Sequence, residues 1–129
     1  MNGKFLLDTN IVIALFADDP AVRDQLADDL EVFIPSIVLG ELFYGALKST
    51  RVEANLARLD EFTRSSAVLG CDATTARYYG QIKNTLREKG RPIPENDIWI
   101  AAIAMQHGFT LATRDRHFDE VEGLLIEAW

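Results

Sequence analysis

Four acidic residues stand at the borders of short apolar runs rather than in the charged stretches of the chain: Asp8, Glu41, Asp97 and Asp115. Carboxylates gathered in one pocket repel one another, so they remain ionised together only around a cation, or some of them become protonated. Oxygen ligands favour a hard cation such as Mg²⁺ or Mn²⁺, particularly where a substrate phosphate completes the shell. Such an ion can activate water and stabilise charge on a phosphodiester. The four acids are therefore candidate metal ligands.

Each acid also has an ordinary structural interpretation. Asp8 could cap a helix that begins near Ile11, and Asp115 could cap a turn. Asp97 could complement the dipole of a helix whose first turn contains it. Glu41 lies between apolar neighbours, but it could still form an ordinary ion pair on a partly exposed helix face. Taken one at a time, the residues leave both interpretations open.

Histidine and cysteine do not form a second set of metal ligands. Cys71 is the single cysteine, and His107 and His117 are separated along the chain, so a zinc site is disfavoured. His117 is close to Asp115 in sequence, but we interpret it as a surface or loop histidine. A chain with one cysteine cannot form an internal disulfide, which fits a reducing cytoplasm.

Short apolar runs and helical patterns alternate along the chain and must position the acids. The apolar runs predict five buried strands, over residues 5–7, 32–34, 67–69, 110–112 and 124–126. Apolar spacing and capping residues predict the main helices, over residues 20–29, 36–47, 51–64, 72–89 and 95–107. Ser36 is the candidate cap of the second of these helices. This alternation predicts an α/β fold with a mostly parallel sheet of about five strands. Asp8 and Asp115 then fall at the carboxyl edge of the sheet, where ligands bind in such folds.

Length and composition limit the class of protein. A chain of 129 residues is typical of a single domain, so we expect one domain over residues 1–129. The net charge of −7 excludes a protein that coats nucleic acid by charge alone, but not an enzyme that reaches phosphate through a cation. Asp8 interrupts the N-terminal apolar stretch, which argues against a signal peptide. The longest apolar run, 98–105, is too short to span a membrane, and we expect a soluble cytoplasmic protein.

Four segments of the chain, taken together, resemble a PIN domain, and more narrowly the VapC-type toxins of bacterial and archaeal toxin–antitoxin pairs. They are FLLDTNI at 5–11, PSIVLGEL at 35–42, NDIWIAA at 96–102, and LATRD at 111–115 followed by Phe118. Each short motif alone is weakly specific, but the four in this order are highly specific. The resemblance covers essentially the whole chain.

The resemblance implies a three-layer αβα PIN-like fold and a Mg²⁺- or Mn²⁺-dependent endoribonuclease that leaves 5′-phosphate and 3′-hydroxyl ends. The residues that match the family's acidic metal-site positions are Asp8, Glu41, Asp97 and Asp115. Thr113 matches a hydroxyl beside the acids, and Asn10 matches a polar position after the first aspartate. Many relatives have asparagine where Asp115 stands. The resemblance further implies a homodimer and a small antitoxin that occupies the site.

A basic segment could help this acidic chain to hold RNA. Residues 77–91 carry a local net charge of +4, opposite to that of the whole chain. A basic rim could steer phosphate inward, and its candidate residues are Lys83, Arg87, Arg114 and Arg116. The candidates for stacking on an unpaired base are Tyr44, Tyr78, Tyr79 and Phe109. A solvated helix face and core or dimer contacts are the alternatives.

Three other functions compete with that of a toxin endoribonuclease. A PIN-type nuclease of RNA processing, without a toxin role, would carry the same motifs. A catalytically silent antitoxin-binding protein is disfavoured because all four acids are present. A phosphate-accepting receiver domain would need a lysine after a late strand. Asp72 follows the third strand, but the segment after the fourth contains arginines and no lysine.

Overall fold

Five short strands form one sheet in the computed structural model, which describes residues 3–129. The strands are β1 (Lys4–Leu7), β2 (Glu31–Pro35), β3 (Ala67–Leu69), β4 (Thr110–Ala112) and β5 (Ile126–Glu127). Their order is β3-β2-β1-β4-β5, and every neighbouring pair is parallel. The predicted α/β fold with a parallel five-stranded sheet is confirmed.

Six α-helices and one short 3-10 helix connect the strands. The α-helices are α1 (Thr9–Phe16), α2 (Pro20–Leu26), α3 (Ser36–Leu47), α4 (Val52–Arg64), α5 (Ala73–Lys89) and α6 (Glu95–His107), and the 3-10 helix covers Arg116–Glu120. Helix α1 packs against α2 and α3, α3 also packs against α4, and α5 packs along α6. Together with the sheet they form the predicted three-layer αβα arrangement. No helix within residues 3–129 is long and apolar enough to cross a membrane.

The helix boundaries follow the capping residues in most places. Asp72 accepts a hydrogen bond from the backbone of Thr75, whose hydroxyl accepts one from the Asp72 N–H, so α5 begins with a capping box. Gly90 ends α5 and Gly108 ends α6, both with positive φ, a conformation that glycine adopts without steric cost. Ser36 was expected to cap α3, but it is the first helical residue, and Pro35 occupies the cap without a side-chain hydrogen bond.

Three element ends differ from the sequence predictions. Helix α1 begins at Thr9 rather than near Ile11, because Asp8 caps it directly. Helix α2 ends at Leu26, and residues 28–30 form a turn. Strand β5 begins at Ile126 because the preceding segment turns through Gly123, which has φ 81°. A turn cannot also contribute its backbone groups to a strand ladder.

The core lies on both faces of the central strands. Residues 5–7 of β1 are buried, and so are Leu111 and Ala112 of β4. Residues 100–104 of α6 are completely buried, as expected for a helix that is apolar nearly all round. At the edge, β3 has an exposed Val68, which differs from the expectation of strands covered on both faces. Burial at the centre fixes the register that positions the site.

Strand register brings two distant segments together at the carboxyl edge of the sheet. Leu7 of β1 lies opposite Ala112 of β4, so the next residues, Asp8 and Thr113, emerge side by side. The chain leaves β1 towards β2 on one side and later returns as β4 on the other side. This is a switch point in strand order, where open α/β sheets form a ligand crevice.

Candidate metal and catalytic site

Asp8 is held by three hydrogen bonds in a buried position. Its side chain is only 4% exposed. Oδ1 accepts a hydrogen bond from the Thr9 N–H at 2.8 Å, and Oδ2 accepts one from the Thr113 hydroxyl at 2.7 Å and one from the Asn10 amide at 3.2 Å. Burial raises the pKa of Asp8, and the charge of Asp115 adds to this, while the hydrogen bonds oppose it. Asp8 therefore caps α1 and also presents a buried carboxylate to the site.

Thr113 and Asn10 connect the end of β1 to the segment after β4. The buried Thr113 hydroxyl donates to Asp8 and accepts a hydrogen bond of 2.9 Å from the Asp115 N–H. The side-chain Oδ1 of Asn10 accepts a hydrogen bond of 3.1 Å from the backbone N–H of Arg114. Both side chains thus fix the position of Asp115 relative to Asp8. The structure brings the two predicted supporting residues to the acids.

Glu41 reaches the same cluster from the second turn of α3. Its Oε1 accepts a hydrogen bond of 3.1 Å from the hydroxyl of Thr9, the residue after Asp8. Partial burial raises the pKa of Glu41, the Thr9 hydrogen bond lowers it, and the charge of Asp8 raises it further. Glu41 therefore interacts electrostatically with the carboxylate of Asp8. The ion pair that was considered as its alternative role does not occur among the described residues.

Asp97 lies in the first turn of α6 and faces the cluster. Its side chain is largely buried, with 14% exposed. Burial raises the pKa of Asp97 to about 6, and the charges of Asp8 and Asp115 add to this, while His117 opposes it. An aspartate that only complemented a helix dipole would be solvated, and its pKa would not be raised in this way.

His117 is exposed, in agreement with its interpretation as a surface histidine, but its ring also contacts the acid cluster, which the sequence interpretation missed. Its side chain is 53% exposed, yet its ring Nδ1 lies 3.3 Å from Oδ2 of Asp97 and 3.1 Å from Oδ1 of Asp115. Asp115 caps the 3-10 helix by accepting a hydrogen bond of 2.9 Å from the His117 N–H. This tight turn folds the histidine back over the aspartate two residues earlier. An Asp-x-His pattern at the end of a strand was the sequence signal that could have identified it.

The assembled residues fit a hard divalent cation. An open cleft is lined by Glu41, Asp97, Asp115 and His117, with Asp8 behind them. Among the ion pairs of residues 3–129, none joins these acids to lysine or arginine. Hydrogen bonds and His117 therefore offset repulsion and burial only in part, since the pKa values of Asp8, Glu41 and Asp97 remain raised, and a bound cation would relieve both. The donor set is mainly carboxylate oxygen, which Mg²⁺ and Mn²⁺ prefer.

The residues predicted to contact RNA differ in how free their charges are. Arg114 is bound within the protein, since its Nη2 lies 3.0 Å from Oδ2 of Asp19 and its Nε donates to the Trp129 carbonyl. Lys83 pairs with Glu95 at the rim of the cleft. Arg87 donates a hydrogen bond to Asn84, and Arg116 is exposed at the start of the 3-10 helix. Among the described ion pairs, none includes Arg87 or Arg116.

The aromatic candidates for base stacking are mostly engaged inside the protein. Tyr79 stacks on Trp99 with a centroid distance of 4.0 Å, and Phe109 stacks on Phe33 at 4.6 Å. Tyr78 is partly buried against the core. Tyr44 differs, because 65% of it is exposed. It is therefore the most accessible of the four candidates, although Lys48 Nζ lies over its ring at 4.7 Å from the centroid.

Comparisons with known proteins identify the family of the chain and its fold. A PIN-domain family model matches residues 5–124. The tRNA(fMet)-specific endonuclease VapC of Shigella flexneri is 40% identical over 98% of both chains. A solved DNA-bound VapBC structure from Salmonella typhimurium is 36% identical, covers 100% of this chain and 99% of that one, and superposes with a TM-score of 0.90. A VapBC-5 structure from Mycobacterium tuberculosis, a member of the VapBC family of toxin–antitoxin systems, is 27% identical, covers 98% and 97%, and has a TM-score of 0.76.

Proposed function

The chain belongs to the PIN-domain family, in its VapC-type branch, and we propose that it is a metal-dependent endoribonuclease, the toxin of a toxin–antitoxin pair. The observation that carries this proposal is the convergence of four carboxylates at the carboxyl edge of the sheet, without lysine or arginine paired to them among the described residues: Asp8, Glu41, Asp97 and Asp115. Such a cluster is destabilised unless it holds a cation. The related Shigella protein carries tRNA(fMet)-specific endonuclease in its name, so RNA is the substrate class to test.

The acids divide the work of the site in the proposed mechanism. Asp8 and Asp97 would hold a Mg²⁺ or Mn²⁺ ion, with Glu41 and Asp115 completing or orienting the shell. When bound, the ion supplies Lewis acidity, which lowers the pKa of a water and stabilises charge on the phosphodiester. Thr113 keeps Oδ2 of Asp8 in one orientation through its hydrogen bond. Preorganised ligands of this kind need no rearrangement as charge develops.

The experiment that tests this function compares a variant of an aspartate in the acid cluster with a variant of an exposed aspartate outside it. Asp97→Asn keeps the size of the side chain but removes an anionic ligand, whereas Asp60→Asn changes an exposed aspartate of α4. Each protein is incubated with tRNA(fMet), other structured RNAs and unstructured RNA, with Mg²⁺, Mn²⁺ or EDTA. We expect cleavage by the wild type and Asp60→Asn that stops with EDTA, and none by Asp97→Asn. Equal cleavage by both variants would contradict the proposed site.

An apolar groove beside the cluster supports the proposed antitoxin partner. The groove shares Thr9 and Glu41 with the acid site, and its apolar lining is Ile13, Phe16, Leu42, Ala46 and Leu59. Ile13 is 55% exposed, although it belongs to this lining. The related structures are VapBC assemblies, at least one of them from a toxin–antitoxin system. We propose that an apolar antitoxin segment fills this groove and closes the approach to Glu41.

A matched pair of surface variants tests the groove. Ile13→Ser removes an exposed apolar side chain from it, and Leu125→Ser removes one that is equally exposed but lies outside it, before β5. Truncating a well-packed interface side chain often removes more than about 1.4 kcal/mol of binding free energy, which corresponds to a loss of affinity of tenfold or more. We expect Ile13→Ser to weaken antitoxin binding by about tenfold while RNA cleavage persists, and Leu125→Ser to leave both unchanged. Unchanged binding by Ile13→Ser would place the antitoxin elsewhere.

We also propose that residues 1–129 act as one cytoplasmic domain and assemble as a homodimer. One sheet and one hydrophobic core extend from Phe5 to Trp129, whose rings lie 5.1 Å apart. A single domain predicts one cooperative unfolding transition in calorimetry. Light scattering of the purified protein should give twice the mass of the chain. Two separate transitions, or a monomeric mass at all concentrations, would contradict these two proposals respectively.

A further inference from the structure

We propose that His117 is itself a ligand of the metal ion and that its imidazole shifts the preference of the site from Mg²⁺ towards transition-metal ions such as Mn²⁺. This inference rests on the proposed function, because it concerns the same acid cluster. The four acids alone would provide only oxygen ligands. The position of the His117 ring adds one nitrogen to that set.

The spacing of the ligand atoms supports direct coordination. One potential ligand atom from each of Asp97, Asp115 and His117 lies within 4.8 Å of the other two. The ring Nδ1 is 3.3 Å from the Asp97 oxygen and 3.1 Å from the Asp115 oxygen. In an octahedral shell with bonds of about 2.1 Å, adjacent ligand atoms lie about 3.0 Å apart and opposite ones about 4.2 Å. The ring Nδ1 therefore already has the spacing of a neighbouring ligand from each of the two carboxylate oxygens.

The backbone around His117 holds the ring in this place. Phe118 is completely buried and anchors the 3-10 helix to the core. The Asp115 carboxylate caps the same helix through the His117 N–H. Asp115 is in turn fixed by the Thr113 hydroxyl. The half-exposed ring is thus held by a turn that is anchored to the core, and within residues 3–129 the polar contacts of its side chain are with the two aspartates.

A ligand role and a hydrogen-bonding role predict different metal selectivity. Mg²⁺ is bound almost entirely by oxygen, so a nitrogen ligand contributes little to its affinity. First-row transition-metal ions accept imidazole more readily, and affinity for sites containing nitrogen increases from Mn²⁺ to Cu²⁺. A histidine that only oriented the two carboxylates would affect every bound ion alike. Selectivity therefore separates direct coordination from support.

The two histidines of the chain provide a matched experiment. His117→Asn keeps an amide near the position of Nδ1 and can still form a hydrogen bond. His107→Asn is the control, because His107 lies in the last turn of α6 and stacks on Phe109, away from the acids. The full-length wild type, both variants and Asp97→Asn are titrated with Mn²⁺ and with Mg²⁺ by calorimetry. Pulsed electron paramagnetic resonance of the Mn²⁺-loaded proteins then detects coupling to an imidazole nitrogen.

We expect the imidazole signal in the wild type and in His107→Asn, and its loss in His117→Asn. The affinity for Mn²⁺ should fall about tenfold in His117→Asn, while that for Mg²⁺ changes less than about twofold. An equal loss for both ions, or a nitrogen signal that persists in His117→Asn, would overturn the ligand role. If the wild type binds Mn²⁺ without an imidazole signal and Asp97→Asn does not bind it, the metal site stands and only the ligand role of His117 is overturned. Absence of any Mn²⁺ binding overturns the metal site of the proposed function as well.

Discussion

The hydroxyl group of Thr113 donates a hydrogen bond of 2.7 Å to Asp8 across 105 residues of the chain. The same oxygen accepts a hydrogen bond from the Asp115 N–H at 2.9 Å. Parallel pairing of β1 with β4 makes this contact possible, because Leu7 lies opposite Ala112 and the two strands end together. One buried hydroxyl thus orients the carboxylate of Asp8 and fixes the backbone of Asp115.

Replacing Thr113 with valine should reduce both stability and metal affinity. Valine keeps the shape but removes one of the three hydrogen bonds to Asp8 and leaves the Asp115 N–H without its partner, which costs about 1–3 kcal/mol of unfolding free energy. Loss of a partner that orients a ligand weakens metal binding by about 10–100-fold. Denaturant unfolding and Mn²⁺ titration measure the two effects. Thr110→Val on β4 is the control and should change neither by a comparable amount, since the described hydrogen bonds include none from its side chain.

The metal-free protein should become more stable when Asp97 is replaced with asparagine. The pKa of Asp97 is raised from 3.8 to about 6, so the fold favours the protonated carboxyl. Its ionisation destabilises the folded state, and this cost grows as the pH rises from about 4 to 6 and is constant above that range. Because one pKa unit corresponds to 1.36 kcal/mol and solvent screens part of it, we expect a gain of about 1–2 kcal/mol at pH 7.5.

The pH profile of that gain distinguishes Asp97 from other aspartates. Unfolding in EDTA is measured between pH 4 and pH 8 for the wild type, Asp97→Asn and the exposed control Asp60→Asn. The difference between Asp97→Asn and the wild type should shrink as the pH falls through about 6 towards 4. A difference independent of pH would mean that ionisation of Asp97 is not its source.

Divalent metal should reverse this order of stability. An ion that binds only the folded state stabilises it by about 2.7 kcal/mol when present at one hundred times its dissociation constant. We therefore expect Mn²⁺ or Mg²⁺ to raise the melting temperature of the wild type at pH 7.5, but to change that of Asp97→Asn little. EDTA should restore the original value. An equal shift in both proteins would point to binding outside the acid cluster.

Arg114 and Arg116 should behave differently when each is changed to glutamine. Arg114 forms an ion pair with Asp19 and donates to the Trp129 carbonyl, so Arg114→Gln should lower the melting temperature.

Arg116 is exposed, and the described ion pairs do not include it. If it contacts a phosphate of single-stranded RNA, Arg116→Gln should reduce the slope of log affinity against log salt by about 0.7. The slope is measured with the cleavage-deficient Asp97→Asn background, and an unchanged slope would remove Arg116 from the rim.

The acids could be predicted from sequence because their positions are marked by local signals. Asp8 directly follows an apolar run, and a parallel sheet places such residues at one edge. Asp97 lies in the first turn of a helix whose apolar character predicts burial. Glu41 was distinguished by its apolar surroundings. The family resemblance then connected residues that composition and spacing could not connect.

The features that were missed depend on long-range contacts or on a short turn. The 3-10 helix that directs His117 has no periodic pattern of its own, and its orientation depends on the burial of Phe118. Arg114 is engaged by Asp19, which approaches it only after the α1–α2 segment has folded. Capping by Pro35 instead of Ser36 shows the same limit at shorter range. In each case the chain's neighbours in space, rather than in sequence, decide the outcome.

The central position of β1 also affects when the nuclease centre can exist during translation. Its two sides are covered by β2, which is made soon afterwards, and by β4, which is made much later. Synthesis proceeds at about 5–20 residues per second, so roughly 5–20 s separate the addition of Asp8 from that of Asp115. Throughout that interval a growing chain holds only part of the acid cluster. The acid cluster therefore cannot be complete until nearly all of the chain has been synthesised.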